Sequence, residues 1–362
     1  MGQILSEPVT TKHSTSGKDE RLIYGASSMQ GWRITMEDAH TTILNYENTG
    51  TAFFAVFDGH GGDKVAKYSS QHLPANVIES EAFKKGDIKE SLKEGFLKID
   101  SDLRKDPELQ HDPSGCTAIV ALLTKDNMLY IGNAGDSRAI ICTNGRAIAL
   151  SDDHKPSNPK ETARIEKAGG HVEFGRVNGN LALSRALGDF EFKSATNLPP
   201  EQQVVTADPD ITKHKITEKD EFMVLACDGI WDCMTNQEVA SFVRQQIAEH
   251  APLETICEKL MDHCLADQSG TTGVGCDNMT VEIIAFLQGQ TEEEWYKKIS
   301  ESEKGASSKT TSGGGKGIKS ESRQYTENEL KKAPDLTSSL ASAGSTHDTA
   351  ESKSNVKSEA KK

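Results

Sequence analysis

An α+β fold built on antiparallel sheets is the expectation that three features of this chain support together. Strand-length runs such as Ala52–Phe57 contain no polar residue, short β-type runs come in pairs joined by turn residues, and other stretches are apolar along one helical face. The first feature predicts strands buried on both faces. The second predicts hairpins, hence antiparallel pairing, and the third predicts helices that cover the sheets.

Taken from the N-terminus, residues 1–21 read as a separate polar segment. Its first six residues, Met1 to Ser6, fit the pattern for myristate on Gly2 after loss of Met1; one such chain gives only weak, reversible membrane association. Residues 22–43 pair an apolar start and exit around the polar block SSMQGWRITMEDAH, which predicts two strands joined by a loop. The stretch TAFFAVFDGHGGDKVAKY (51–68) then reads as buried strand, acidic tip at Asp58, glycine turn and helix. Ile88, Leu92, Phe96, Ile99 and Leu103 recur at spacings of four, four, three and four, the mark of one apolar helical face.

Residues 114–150 read as a meander of four strands, with turns at Lys125-Asp126-Asn127, at Gly135-Asp136-Ser137-Arg138 and at Asn144-Gly145. Residues 151–190 are polar and turn-rich with one short helix near 159–168, a flap spanning about 155–190. A capping box, Thr235 and Glu238, opens a packing helix carrying Val239, Phe242, Val243 and Ile247; Leu253, Ile256, Leu260, Met261 and Cys264 mark another. The main body is thus expected over 22–290. Residues 291–362, turning to Ser, Thr, Lys, Gly and Glu from about residue 300, read as a disordered low-complexity tail.

Bulk properties narrow the function. The net charge of −14 over 362 residues disfavours nucleic acid and anionic lipid as partners and suits a site loaded with cations. The seven cysteines are odd in number and form no CxxC pair, so reduced thiols in the cytoplasm or nucleus are expected rather than a disulfide framework or zinc cluster. No apolar run approaches the roughly 18 residues of a membrane-spanning helix, so the reading is of a soluble protein. Asn278-Met279-Thr280 matches a glycosylation sequon, which we read as accidental.

Chemistry concentrates where buried runs meet acids. Asp58 ends the run 52–57, Asp228 follows 222–227, and Asp277 precedes 281–287. Singly, each acid also serves to cap a strand or open a turn; acidic oxygens from three strands, with the adjoining glycines, suit a hard divalent cation such as Mg²⁺ or Mn²⁺. Arg33, Glu37 and Asp38 lie close together on the first loop and read either as a surface ion pair or as a phosphate fork beside further metal ligands. Asp136 reads as a further ligand or as a plain turn residue.

The ordered motifs WRITMEDAH, FDGHGG, SGCTA, GDSR, DHKP, VNGNLALSRALGD, ACDGIWD and GCDNMT closely resemble the type-2C, metal-dependent family of protein serine/threonine phosphatases, over about residues 22–287. The resemblance implies a four-layer α-β-β-α sandwich, two antiparallel sheets flanked by helices, with a small flap. It implies two Mn²⁺ or Mg²⁺ ions per subunit: Asp58 would bridge them, Glu37 and the Gly59 carbonyl would hold one, and Asp228 and Asp277 the other. A weaker third ion would fall to Asp136, Asp228 and Asp232, while Asp38, Thr117 and Asn278 would support the ligands. Arg33 would hold the phosphate and His60 would protonate the leaving oxygen, with water attacking directly and no phosphoenzyme formed. Phosphorylated proteins, protein kinases among them, would be the substrates of what we expect to be a monomer. Two other readings are a two-metal phosphodiesterase or small-molecule phosphohydrolase, and a phosphoprotein-binding module without catalysis. A turnover assay comparing phosphopeptide with diester separates the three.

Overall fold

The computed structural model describes residues 4–270 and 273–311, with side chains up to residue 304, so Gly2 and the chain beyond 311 lie outside the described residues. Strand β1 (Ile4–Lys18) runs antiparallel to β2 (Leu22–Arg33), and the Asp19 carboxylate closes the link by accepting from the Arg21 and Leu22 N–H groups, both at 2.8 Å. The chain next crosses to a second sheet, where β3 (Ala39–Ile43) pairs with β4 (Ala52–Phe57). Helices α1 (Lys64–Ile78) and α2 (Ile88–Lys105) follow, the second capped by Asp87, which accepts from the Glu90 N–H at 3.2 Å.

Two hairpins come next. β5 (Ala118–Leu123) and β6 (Met128–Ala134) extend the second sheet from β4. β7 (Arg138–Thr143) and β8 (Arg146–Ala149) turn at Asn144 and Gly145, both at positive φ (48° and 79°) as an Asn-Gly hairpin requires, and they belong to the first sheet. Helix α3 (Pro159–Lys167) lies in the flap, β9 (Asp210–Lys215) returns to pair with β6, and β10 (Asp220–Ala226) pairs with β7. Helices α4 (Asn236–Ala248) and α5 (Leu253–Cys264) precede β11 (Met279–Phe286), which inserts between β2 and β10; α6 (Glu292–Thr311) ends the described chain. The expected capping box at Thr235 and Glu238 starts α4.

The first sheet therefore runs β1-β2-β11-β10-β7-β8 and the second β9-β6-β5-β4-β3. β4 shows why four layers form. Its alternate residues Phe53, Ala55 and Phe57 pack with Val65, Leu73, Leu92, Phe96 and Ile99 of α1 and α2, whereas Phe54 and Val56 meet Ile141, Met223, Leu225 and Ile284 of the other sheet. On the far side Ile140, Val224, Val281 and Ile283 pack with Val239, Ile256, Leu260, Trp295 and Ile299 of α4, α5 and α6. The layers are helix, sheet, sheet, helix.

Four boundaries differ from the sequence reading. Residues 114–150 are not one meander: β5–β6 and β7–β8 sit in opposite sheets, and the turn around Asp136 carries the chain between them. The N-terminal segment is not separate either, because Lys12–Lys18 of β1 pair with Ile23–Met29 of β2 as an edge strand. The expected start of the tail at 291 fails as well, since Trp295, Tyr296 and Ile299 are buried in the helix-covered core. Finally, the flap core gathers Ile165, Val177 and Ala186 with Phe192 and Val205, beyond the expected limit at 190.

Candidate active site

Antiparallel pairing delivers the acids to one end of the sandwich. Asp58 follows the last residue of β4, and Asp228 begins one helical turn after β10. Ala226 lies opposite Val281, so the end of β10 adjoins the start of β11, where Asp277 and Asn278 stand; Met29 lies opposite Met279 and brings Arg33, the end of β2, to the same place. There Arg33, Glu37, Asp58, Gly59, His60, Thr117, Asp136, Asp228, Asp277 and Asn278 line a cleft of about 450 Å³, joined by Arg176 and Leu181 to Leu183 of the flap. Asp38 is buried behind it. Among the predicted residues Asp38 and Asp232 are not part of that lining, although the charge of Asp232 acts on Asp228.

Hydrogen bonds hold the loops in place. Asn278 accepts from the Glu37 N–H at 3.0 Å and donates through Nδ2 to the Gln30 and Thr35 carbonyls, at 2.8 and 2.9 Å. Committed in this way and buried, it does not serve as a glycan acceptor. Glu37 accepts from Thr35 Oγ1 (2.8 Å) and from the Gly62 N–H (3.1 Å). The Asp58 N–H donates to Thr117 Oγ1 at 3.2 Å, and the Thr117 N–H returns a bond to the Asp58 carbonyl at 2.9 Å. Gly59 must be glycine, because a Cβ there would lie 2.2 Å from the Glu37 carbonyl oxygen.

The electrostatics are those of crowded anions. Burial pushes the Asp58 carboxyl well above its ordinary range, and the charges of Asp228, Asp38, Asp136 and Asp277 push it further. Asp228 moves the same way, from burial and then from Asp136, Asp277 and Asp232, with Lys155 opposing. Asp38 rises to about 7, chiefly through burial, while Thr280 Oγ1 donates to its Oδ2 at 2.7 Å; its Oδ1 is buried without a partner. Among the described residues two cations touch the cluster, Arg33 on Asp277 and Lys155 on Asp136. One oxygen each of Asp38 and Asp58 and the Cys227 sulfur lie within 4.8 Å of one another. Hard divalent ions take the oxygens; the thiol faces the Asn278 carbonyl at 3.5 Å, and burial holds it protonated. Buried, mutually repelling carboxylates with an orphaned oxygen are the donor set that Mg²⁺ or Mn²⁺ fits.

The sequence pattern of protein phosphatase 2C matches residues 22–273. The chain belongs to the protein phosphatase 2C family. It is 55% identical over 306 residues to "Protein phosphatase 2C homolog 2" of Schizosaccharomyces pombe, covering 83% of both chains, and 57% identical to "Protein phosphatase 2C homolog 3" of the same organism, covering 83% of this chain and 73% of that one. A phosphatase crystal structure from Toxoplasma gondii superposes with a TM-score of 0.68 at 27% identity, over 78% of this chain and 97% of that one. This phosphatase 2C is thus a metal-dependent protein serine/threonine phosphatase, and its α-β-β-α sandwich is the architecture that the motifs led us to expect.

Sequence reasoning missed three residues of this phosphatase 2C site. Lys155, in the motif DHKP, pairs with Asp136. Arg176 reaches the cleft from the flap, and Asp189 lies 2.7 Å from His60 Nε2. Lys155 and Asp189 stand within quoted motifs and Arg176 directly before one, but none has a local pattern that names its partner.

Proposed function

We propose that the cluster holds two Mg²⁺ or Mn²⁺ ions, with Asp58 shared, Glu37 and the Gly59 carbonyl serving one, and Asp228 and Asp277 the other. A third, weaker ion falls to Asp136, Asp228 and Asp232. The observation that carries this reading is the crowding itself: burial and neighbouring charge raise Asp58 and Asp228 far above an ordinary carboxylate, a cost that bound cations remove. Such ions supply an acidified water and offset the charge on a phosphate.

The chain's own residues do the rest. Arg33, half exposed at the cleft, offers a planar fork to the phosphate oxygens. Burial disfavours its charge, but Asp277, Asp228 and Asp58 outweigh burial and raise its pKa, so the cation persists. His60, likewise disfavoured by burial and more than compensated by Asp189, holds a proton for the departing serine or threonine oxygen. Cys227, buried and protonated, offers no thiol nucleophile, which supports direct attack by water without a phosphoenzyme. Asp38, Thr117 and Asn278 keep the ligand loops in register.

Phosphorylated proteins, protein kinases of signalling pathways among them, are the substrates we assign, acted on by a monomer in cytoplasm and nucleus. Myristate on Gly2 belongs to the same reading, and intact mass from a eukaryotic host reads it out. The decisive experiment measures phosphothreonine-peptide hydrolysis after chelation and after Mn²⁺ return. Activity should vanish and come back, with diester hydrolysis far slower; chelator-resistant turnover would overturn the reading.

A further inference from the structure

At the cleft, His60 is paired with a buried acid that takes no direct part in the proposed reaction. His60 Nε2 lies 2.7 Å from Asp189 Oδ2, a contact spanning 129 residues. Asp189 is 4% exposed and its backbone is left-handed (φ 51°, ψ 44°), a conformation that a non-glycine residue adopts at a cost and keeps only where its surroundings impose it. The surroundings do impose it. Asp100 of α2 accepts from the Gly188 N–H at 2.9 Å and from Lys193 Nζ, Lys193 Nζ also donates to the Ala186 carbonyl at 2.7 Å, and the Asp189 N–H donates to the Ser114 carbonyl at 3.3 Å. Gly115 leaves room for the pair, since a Cβ there would lie 2.2 Å from Asp189 Oδ2 and 2.6 Å from His60 Nε2. The loop is braced on both sides of the carboxylate, and the strand facing it carries no side chain at the point of contact.

We propose that Asp189 is a positioning residue for the dephosphorylation step, holding the His60 ring through Nε2–H so that Nδ1 carries the proton for the leaving oxygen. A carboxylate only accepts, so the nitrogen facing Asp189 keeps its hydrogen and the other serves the reaction. In that step a water oxygen bonds to phosphorus, the bond from phosphorus to serine or threonine Oγ breaks with its electron pair going to Oγ, and the Nδ1 proton passes to Oγ. The products are inorganic phosphate and the free alcohol, and His60 regains its proton from solvent. The inference rests on the general-acid role given to His60 above.

The test uses the full-length protein at saturating Mn²⁺ with two substrates. A phosphothreonine peptide expels an alkoxide that needs a proton, whereas p-nitrophenyl phosphate expels a phenolate that does not. Asp189→Asn is expected to lower kcat at least about tenfold on the peptide and less than about threefold on the aryl ester, with KM nearly unchanged. His60→Gln should show the same selectivity, and the double variant should be no slower than His60→Gln alone. Equal losses of Asp189→Asn on both substrates, or multiplied losses in the double variant, would overturn the positioning role while leaving the acid role of His60 standing. Absence of selectivity in His60→Gln would remove both. Should the Asn variant misfold, ring-¹⁵N spectra of the unaltered protein, recorded where the His60 ring is neutral, decide: the Nε2–H tautomer supports the proposal, and the Nδ1–H tautomer overturns it.

Discussion

At the level of single residues, the acids were legible because each sits where an apolar run stops, and a carboxylate at a strand end inherits the strand's rigidity. Crowding is what the sequence could not display. Asp228→Asn removes one charge from a cluster whose members raise one another, so the metal-free variant is expected to be more stable than the parent by on the order of 1 kcal/mol. It should also lose most of the stabilisation by Mn²⁺, about 2.7 kcal/mol for the parent at a hundredfold excess over Kd, and at least about a hundredfold in turnover. Paired melting curves with and without Mn²⁺ check this, and a variant less stable than the parent without metal would count against the crowding argument. Asp189 stayed hidden for a different reason: its partner is distant in the chain, and GDF reads as an ordinary turn.

Among the helices and strands, periodicity served α2 and α4 well, since their buried residues recur along one face as the spacing demanded. It failed for β1, whose Glu, Thr, Lys and Ser residues lie largely exposed at a sheet edge and so leave no alternation to detect. It also failed for α6, where Trp295, Tyr296 and Ile299 are buried in a segment otherwise rich in charge. That helix is tied down by a buried cation. Arg244 donates to both Glu221 oxygens (2.8 and 3.1 Å), to Ser302 Oγ (3.0 Å) and to Glu303, and the Trp295 indole donates to the Glu221 carbonyl at 3.1 Å. Arg244→Ala leaves the Glu221 carboxylate buried without its counter-charge, with the Cys142 thiol still donating to it, and is expected to cost about 3–5 kcal/mol in denaturant unfolding. Replacing both with Met and Leu should cost much less, because neither charge is then stranded.

Across the whole molecule, the inter-sheet layer contains an acid with no task in the reaction. Glu282 shares a strand face with Ile284 and Phe286 of the inter-sheet core, is fully buried, and neither of its oxygens has a partner; burial raises its pKa well above the usual carboxylate range. Folding therefore takes up a proton once the unfolded chain ionises, above about pH 4.3. This contribution is complete below that pH and is lost as pH rises toward the folded value, by at most about 1.4 kcal/mol per pH unit. Glu282→Gln is expected to gain melting temperature on the parent steadily from pH 5 to pH 8, and parallel curves would refute the assignment. From residue order alone came the helix faces, the hairpins, the buried strands and the acids at their ends, because each is written in a local period that reports whether a segment's own face is covered. Only the folded molecule decided which sheet each hairpin joined, that the polar first strand and the final helix belong to the body, and that Asp189 meets His60. Partners are chosen by packing across layers, and a local period carries no trace of what lies on the other side.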